Sequence, residues 1–189
     1  MGRPHGDLMA ADTPPMGDEQ IVLVPYDPDW PRRFDAERAV LERVLAPWLQ
    51  GGVHHIGSTA IAGIAAKPII DIMAGVRDLD ESRAAFAALR EQSYLDDPHR
   101  PLVAHHFAKP SLHRPTHGLH LTQSGSDLWR ERLAFRDALR NAPTLAAEYE
   151  TLKLRLAREH RWDGAAYTQN KRAFVARVLA SAGIPLSEG

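Results

Sequence analysis

The chain has 189 residues, of which 44% are apolar and 25% charged, and its formal net charge is −1. The apolar and charged fractions are typical of a globular domain with a hydrophobic core. A net charge near zero does not indicate nonspecific binding to nucleic acid or anionic membranes, which depends on a strongly basic surface. The chain has no cysteine, which excludes disulfides, thiolate metal sites and cysteine nucleophiles. No apolar run is long enough to span a membrane, and we expect a cytoplasmic protein.

The first elements are a tail, a strand and a helix. Residues 1–19 contain Pro and Gly but no apolar periodicity, and they are predicted to form a disordered tail before a single domain at 20–183. The β-branched run Ile21–Tyr26 predicts a strand. Pro and Asp residues at 27–31 then predict a helix start, and Trp30 and Phe34 lie one turn apart to seat that helix on a sheet. Glu37, in the same helix, is expected to be a solvated charge.

Two strands follow, at Val53–Ser58 and Ile69–Val76. Alternation along the second strand places Asp71 and Met73 on one face and Ile70 and Ile72 on the other. A carboxylate within an apolar strand is costly unless it is paired, hydrogen-bonded or bound to a metal. Asp71 is therefore either a functional group or a buried carboxylate satisfied by the N–H groups of a nearby turn.

The remaining pattern predicts an α+β fold, a mixed sheet with helices packed against it. Its further elements are a helix at Leu79–Gln92, strands at Leu102–Lys109 and Leu119–Thr122, and a helical part at about 126–183. Within that part we expect helices over Leu128–Arg140, from Thr144 to about His160, and over Asp163–Ala182, with Ser126 as an N-cap. In the first of these helices Arg132 and Arg136 either lie on a charged, solvated face, which is the expectation, or face an anionic ligand.

A Gly-Ser pair ends the second strand and precedes Asp71 by a short, small-residue loop. Gly57 and Ser58 at a strand end would present backbone N–H groups and a hydroxyl to a phosphate oxygen. The carboxylate of Asp71 on the adjoining strand suits a Mg²⁺ ion bound to that phosphate. The partner predicted from this pattern is a nucleotide or another phosphorylated small molecule.

Six separated motifs extend this pattern from Ile21 to about Leu179: VPYDPDW, HIGSTAIAGIAAKPIIDI, THGLHL, GSDLWRERLAFRDALR, EYETLK and AYTQNKRAFV. In this order they resemble the GrpB family, within the nucleotidyltransferase-like superfamily. The resemblance implies a nucleotidyltransferase-like mixed sheet, a bound nucleoside triphosphate with a divalent metal, and nucleotidyl transfer to a small-molecule or other acceptor. It also implies phosphate contacts from Gly57, Ser58 and Thr59, and a metal held by Asp71.

One departure concerns the metal. The superfamily pattern has a second acidic residue two positions after the first, and here that position is Met73, which cannot bind Mg²⁺. His120 is the predicted substitute, as a metal ligand or a base, on a strand beside that of Asp71. The expected metal is Mg²⁺ or Mn²⁺, with Zn²⁺ as a further option because imidazole suits it. The alternative for His120 is a half-buried polar strand residue. Gly118 replaces a histidine of the family pattern.

Four lysines are predicted to bind phosphate: Lys67, Lys109, Lys153 and Lys171. Lys153 follows Tyr149 by four residues, and Lys171 follows Tyr167 by four, so each pair shares a helix face. These pairs either line a substrate cleft or pack as aromatic-cation pairs on a helix surface.

Two functions are consistent with these residues. One is a nucleotidyltransferase-like enzyme that uses Asp71 and His120 in catalysis. The other is a noncatalytic module that binds a nucleotide or phosphometabolite and has lost the second metal carboxylate; Met73 favours it. Transfer of an acyl or aminoacyl group in the same cleft is a third option.

Overall fold

The computed structural model describes residues 20–98 and 102–186. Its strands are β1 (Leu49–Ile56), β2 (Ile70–Val76), β3 (Leu95–Asp96), β4 (His105–Lys109) and β5 (His117–Gln123). Its α-helices are α1 (Trp30–Val44), α2 (Phe86–Glu91), α3 (Asp127–Asn141), α4 (Pro143–Glu159), α5 (Gly164–Gln169) and α6 (Arg172–Ser181). Short 3₁₀ turns lie at Ser58–Ala60 and Glu81–Ala85. None of the described helices has the length and apolar character needed to cross a membrane.

The strands form one mixed sheet in the order β1-β2-β5-β4-β3. Only β2 and β5 run parallel, and the other neighbours are antiparallel. The predicted α+β class with a mixed sheet is therefore confirmed. Asp71 lies opposite Ile56 on β1 and opposite Gly118 on β5, at the end of the sheet where β1 finishes and β2 and β5 begin.

The helix α1 covers one face of the sheet. Trp30, Phe34 and Leu41 of this helix belong to the same buried cluster as the strand residues Ile72 and Leu119. Trp30 and Phe34 thus seat α1 on the sheet, in line with their predicted spacing. The polar end of this face carries His55, whose ring stacks on Phe34 with 4.8 Å between ring centroids.

The helix α3 covers the opposite face, beside Asp71. Trp129 of α3 packs with Ile56 and Met73 in a small buried cluster, and Met73 has no exposed surface. Ser126 caps α3 as predicted, because its hydroxyl accepts a hydrogen bond from the Trp129 backbone amide at 3.3 Å. The cap and the Trp129 contact hold the first turns of α3 close to Asp71.

The helices α3, α4 and α6 pack around a second buried cluster. The predicted third helix at Asp163–Ala182 is instead two helices, α5 and α6. The chain turns at Asn170, whose side-chain amide donates to the Ala166 carbonyl at 2.9 Å, and at Lys171, which is the N-cap of α6. Side-chain to backbone hydrogen bonds of this kind compete with helix continuation. The break places Lys171 at the start of a new helix.

Three further predicted elements differ from the structure, and one lies outside it. Ile21–Tyr26 forms a single bridge, between Val24 and Ala66, instead of a strand. The predicted helix over Leu79–Gln92 is a 3₁₀ turn followed by the short α2, and the strand predicted from Leu102 begins at His105. The tail predicted for residues 1–19 lies outside the described residues.

Candidate functional site

The turn after β1 is built in contact with Asp71. Gly57 has a φ of +69°, in the left-handed region that favours glycine. A β-carbon added at Gly57 would lie 2.8 Å from the Asp71 Cβ and would overlap the carboxylate. The Asp71 side chain therefore occupies the space that a larger residue at position 57 would fill, and the carboxylate lies against the Gly57-Ser58 backbone.

We expect Gly57→Ala to lower the free energy of unfolding by about 3 kcal/mol, because strain from the positive φ adds to the overlap with Asp71. Gly63→Ala is the matched control: Gly63 has a φ of +81° but open space around its Cβ position, so its cost is about 1 kcal/mol. Chemical denaturation of both variants measures the difference. Equal costs would mean that Asp71 is not held against the turn.

A cleft of about 290 Å³ opens beside this turn. The helix α3 forms one wall with Leu128, Arg132, Phe135 and Leu139, which share a helix face at spacings of three and four. The junction of α5 and α6 forms the other wall. The complete lining is Gly57, Ser58, Ile61, Asp71, Leu128, Glu131, Arg132, Phe135, Arg136, Leu139, Tyr149, Thr168, Gln169, Lys171, Arg172, Val175 and Leu186. Four of these side chains are cationic and two are acidic.

Asp71 carries an unusual charge balance. Burial raises the pKa of the Asp71 carboxyl to about 6, although the positive charges of Arg132, Lys171 and Lys67 act in the opposite direction. Three cations beside one acid would ordinarily lower such a pKa below its usual range. Loss of hydration therefore outweighs their attraction, and the carboxylate is poorly compensated within the protein.

Lys171 has the complementary imbalance. Burial, followed by repulsion from Lys67, lowers the pKa of the Lys171 ammonium to about 8, and attraction to Asp71 only partly offsets this. The Lys171 ammonium lies 4.3 Å from the ring centroid of Tyr167, and that of Lys67 lies 5.4 Å from the same ring. Tyr167 is buried and gives both lysines a fixed, electron-rich neighbour. Lys171 lines the cleft, and Lys67, which is not among the lining residues, contacts the same ring.

Tyr149 closes the cleft beneath the Gly57-Ser58 turn. Burial raises the pKa of the Tyr149 phenol, while a hydrogen bond with Ser58 and the charge of Arg132 lower it. The Tyr149 ring packs edge-to-face against Phe135 and stacks on Phe174, with 5.2 and 5.1 Å between ring centroids. The hydroxyl groups of Ser58 and Tyr149 therefore lie together at the base of the cleft.

Thr59, predicted at the phosphate, has a structural contact instead. It is 2% exposed, and its hydroxyl donates to the Ile69 carbonyl at 3.1 Å. Since that bond uses the only hydroxyl proton, Nε2 of His55 must donate to the Thr59 oxygen, at 3.0 Å. Burial lowers the pKa of the His55 imidazole to about 4, which agrees with a neutral ring. Thr59 ties the turn to the start of β2 and does not line the cleft.

Lys109 also lies outside the cleft, on the face of the sheet that α1 covers. Its ammonium donates to both carboxylate oxygens of Glu37, at 2.9 and 3.1 Å, and the Tyr94 hydroxyl donates to the same carboxylate at 3.0 Å. Glu37 is 8% exposed, so the expectation of a solvated charge was wrong. A carboxylate here is retained because a lysine and a tyrosine satisfy it. This ion pair holds Lys109 away from the cleft, and its phosphate role stays a prediction.

We expect Lys109→Met to cost about 3 kcal/mol of folding free energy, because it leaves the Glu37 carboxylate buried without its cation. Ligand binding in the cleft should stay unchanged, within about twofold. Thermal unfolding and a phosphate-binding titration check the two statements. If the folded Lys109→Met protein binds phosphate more weakly than the wild type, Lys109 contributes to ligand binding.

The two Tyr-x-x-x-Lys pairs have different roles. The Tyr167–Lys171 pair contributes Lys171 to the cleft wall. Lys153 is 1% exposed, donates to the Ala65 carbonyl and lies 5.0 Å from the ring centroid of Tyr149. Lys153 thus fastens α4 to the loop before β2 in a buried contact, and only Tyr149 of this pair lines the cleft.

His120 lies on the strand beside that of Asp71, as predicted, and opposite Met73. It packs edge-to-face on His106 of β4, with 4.6 Å between ring centroids, and it is not among the residues that line the cleft. Among residues 20–98 and 102–186, no three His, Cys, Asp or Glu side chains are grouped so that they could hold a metal. The surroundings of Asp71 are cationic, and Met73 is committed to the core. This donor set does not fit a protein-bound Mg²⁺, Mn²⁺ or Zn²⁺ ion.

Several lining residues were missed or assigned to solvent in the sequence. Arg132 and Arg136 line the cleft, although a solvated face of α3 was their expected position and an anionic ligand the alternative. Glu131, Phe135 and Arg172 had no predicted role in a site. Leu128, Arg132, Phe135 and Leu139 form a helical stripe that could have indicated a shared environment. Nothing in that stripe alone tells a cleft wall from an ordinary buried face.

Comparisons with known proteins identify the family. The family model "GrpB protein" matches residues 20–181. The chain is 35% identical over 165 residues to "Glutamate-rich protein GrpB" of Alkalihalophilus pseudofirmus, covering 85% of this chain and 94% of that one. It is 38% identical over 167 residues to "UPF0157 protein" of Deinococcus radiodurans, covering 87% of this chain and 84% of that one.

Solved structures agree with the sequence comparison. The crystal structure of conserved protein GrpB from Enterococcus faecalis superimposes with a TM-score of 0.77 at 29% identity, covering 85% of this chain and 96% of that one. The family model and the relatives each cover most of the chain, and the range of the family model includes α3, α5 and α6, which form the walls of the cleft. This chain belongs to the GrpB family, also named UPF0157.

Proposed function

We propose that the cleft binds a phosphorylated small molecule, with the phosphate at the Gly57-Ser58 turn and between Lys171 and Arg132. The observation that carries this proposal is the excess of positive side chains in the cleft, which is lined by Arg132, Arg136, Lys171 and Arg172 and by two acids, Asp71 and Glu131. The lowered pKa of Lys171, about 8, agrees with this excess, because burial and the charge of Lys67 both disfavour its charged form. A dianionic group would balance the excess of positive side chains in this lining.

Phosphate matches this requirement better than a monoanion. A phosphate monoester carries a charge of about −1.5 to −2 at pH 7 and three strong acceptor oxygens. Arg132 would contribute a planar set of donors and Lys171 a point charge, while the backbone and hydroxyl of Ser58 would donate from the turn. The volume of about 290 Å³ lies near the lower end of the range for small-molecule sites, about 300–1,000 Å³. A metabolite or a single nucleotide is the matching size.

Nucleotidyl transfer is a second candidate, and it rests on Asp71 and on the sequence resemblance to nucleotidyltransferase-like proteins. A carboxyl group with a pKa of about 6 beside a phosphate cradle is suited to accept a proton near neutral pH. In such a transfer an acceptor oxygen bonds to the α-phosphorus, the bond to pyrophosphate breaks, and Asp71 takes the acceptor proton. The buried Met73 and the cationic surroundings favour binding over metal-assisted transfer.

A thermal-shift and calorimetry panel with phenyl phosphate, phenyl sulfate and ATP tests the proposal, each with Mg²⁺ or with a chelator. We expect phenyl phosphate to bind with the chelator present, and at least about tenfold more tightly than the monoanionic sulfate of the same shape. A ligand at 100 times its dissociation constant adds about 2.7 kcal/mol of stability, which is easily measured. Equal affinity for the two esters, or no binding of either, contradicts the proposal. Incubation of ATP with an acceptor mixture, followed by detection of pyrophosphate, tests the transfer reaction separately.

A further inference from the structure

The lining of the cleft is not only charged. Besides Glu131, Arg132, Arg136, Lys171 and Arg172 it includes six apolar side chains: Leu128, Ile61, Phe135, Leu139, Val175 and Leu186. Ile61 and Leu139 are almost fully buried in the helical core, whereas Phe135 and Val175 are only half-buried. The two half-buried side chains belong to opposite walls, Phe135 to α3 and Val175 to α6. An apolar compartment thus adjoins the proposed phosphate position.

Phe135 is the central side chain of this compartment. Its ring packs edge-to-face against the rings of Tyr149 and Phe174, with 5.2 and 6.4 Å between ring centroids. These contacts leave part of the ring exposed inside the cleft and restrict its rotation. A rigid, partly exposed aromatic face suits a planar ligand, since offset or edge-to-face ring contacts add to the burial of apolar surface.

Polar groups border the compartment. Thr168 and Gln169 line the cleft from the end of α5, and both are exposed. Amide and hydroxyl groups at this border can hydrogen-bond to polar atoms on the edge of a ring. The lining therefore combines a dianion position, a ring position and polar contacts at the rim, within about 290 Å³.

From this arrangement we infer that the ligand is an aromatic phosphomonoester, a phosphate joined by a short linker to a planar ring that lies against Phe135 and Val175. The inference rests on the proposed phosphate site and names the class of molecule that fills the rest of the cleft. Simple aryl phosphates and nucleoside monophosphates share this chemistry.

The test is a set of dissociation constants for inorganic phosphate, glycerol 3-phosphate, phenyl phosphate and AMP. In the wild type we expect phenyl phosphate, AMP or both to bind about tenfold more tightly than glycerol 3-phosphate. Stacking of one ring on an aromatic side chain supplies a binding free energy that corresponds to about this ratio of dissociation constants. In Phe135→Ala this advantage should fall to about threefold or less, while the affinity for inorganic phosphate stays within about twofold of the wild type. An advantage confined to AMP assigns the ring to a nucleobase, and one confined to phenyl phosphate assigns it to an aryl group.

A second variant covers the loss of folding that Phe135→Ala could cause. Val175→Ala removes two methyl groups from the opposite wall without touching the Phe135–Tyr149 contact, and it should reduce the ring advantage by about threefold. The inference is overturned, with phosphate binding intact, if glycerol 3-phosphate binds as tightly as both ring ligands. It is also overturned if neither variant changes the advantage. If no phosphate ligand binds the wild type, the proposed function fails and this inference fails with it.

Discussion

Lys171→Gln should weaken phosphate binding by about 30-fold or more, because it removes a charge-assisted hydrogen bond from the centre of the cationic end of the cleft. The same substitution should raise the free energy of unfolding of the unliganded protein by about 2 kcal/mol at pH 7. The pKa of Lys171 is lowered to about 8 in the folded protein, so its charged form is disfavoured there relative to the unfolded chain. Titration calorimetry and denaturant unfolding measure the two effects.

Lys153→Gln is the matched control for Lys171→Gln. Both lysines follow a tyrosine by four residues, and burial lowers the pKa of each to about 8. Lys153 contacts the Ala65 carbonyl and does not line the cleft. We expect its substitution to leave phosphate affinity within about twofold. If the two variants weaken binding equally, the effect belongs to the general charge of the helices and the proposed site is wrong.

Asp71→Asn should stabilise the unliganded protein at neutral pH and leave it unchanged in acid. The pKa of Asp71 is about 6 in the folded protein, against an ordinary value of 3.8. Between these values the folded protein binds a proton that the unfolded chain has released, so the free energy of unfolding falls as the pH rises through this interval. The full loss is about 3 kcal/mol. Relative to the wild type, the variant should therefore gain about 3 kcal/mol between pH 4 and pH 7.

His55 acts in the opposite direction over nearly the same interval. Its pKa is lowered from 6.5 to about 4, so the unfolded chain binds the proton and stability rises as the pH increases from 4 to 6.5. In the wild type the two effects oppose each other. The Asp71→Asn variant loses the Asp71 effect and keeps the His55 effect. Its free energy of unfolding should therefore rise more steeply with pH than that of the wild type. Urea unfolding at half-unit pH steps measures both curves, and parallel curves would show that the carboxyl of Asp71 is not desolvated.

Much of the sheet could be predicted from the sequence because local patterns specify it. Alternation along β2 gave the faces of Asp71 and Met73, and the Ser126 cap marked the start of α3. The Gly57-Ser58 turn was predicted beside Asp71, and the backbone conformation at Gly57 explains why only glycine fits there. These features depend on neighbours in the chain or on one adjoining strand.

The contents of the cleft could not be predicted in the same way. Glu37 and Lys109 are separated by 72 positions, and no periodicity shows that they meet. Lys171 was predicted for the site, but the helix break that places it at the start of α6 was not. The charged face of α3 reads as a solvent face until the position of that helix over the sheet is known. Long-range pairing and helix placement therefore separate the sequence prediction from the observed site.

The most direct measurement compares phosphate-ester binding to the wild type and Asp71→Asn, with Mg²⁺ and with a chelator. Asp71 offsets part of the positive charge that Lys67, Lys171 and Arg132 offer a dianion. We therefore predict that phenyl phosphate binds without metal and that Asp71→Asn binds it severalfold more tightly, since a negative charge has been removed. Binding that requires Mg²⁺ and is lost in the variant would contradict this account, because Asp71 would then be a metal ligand.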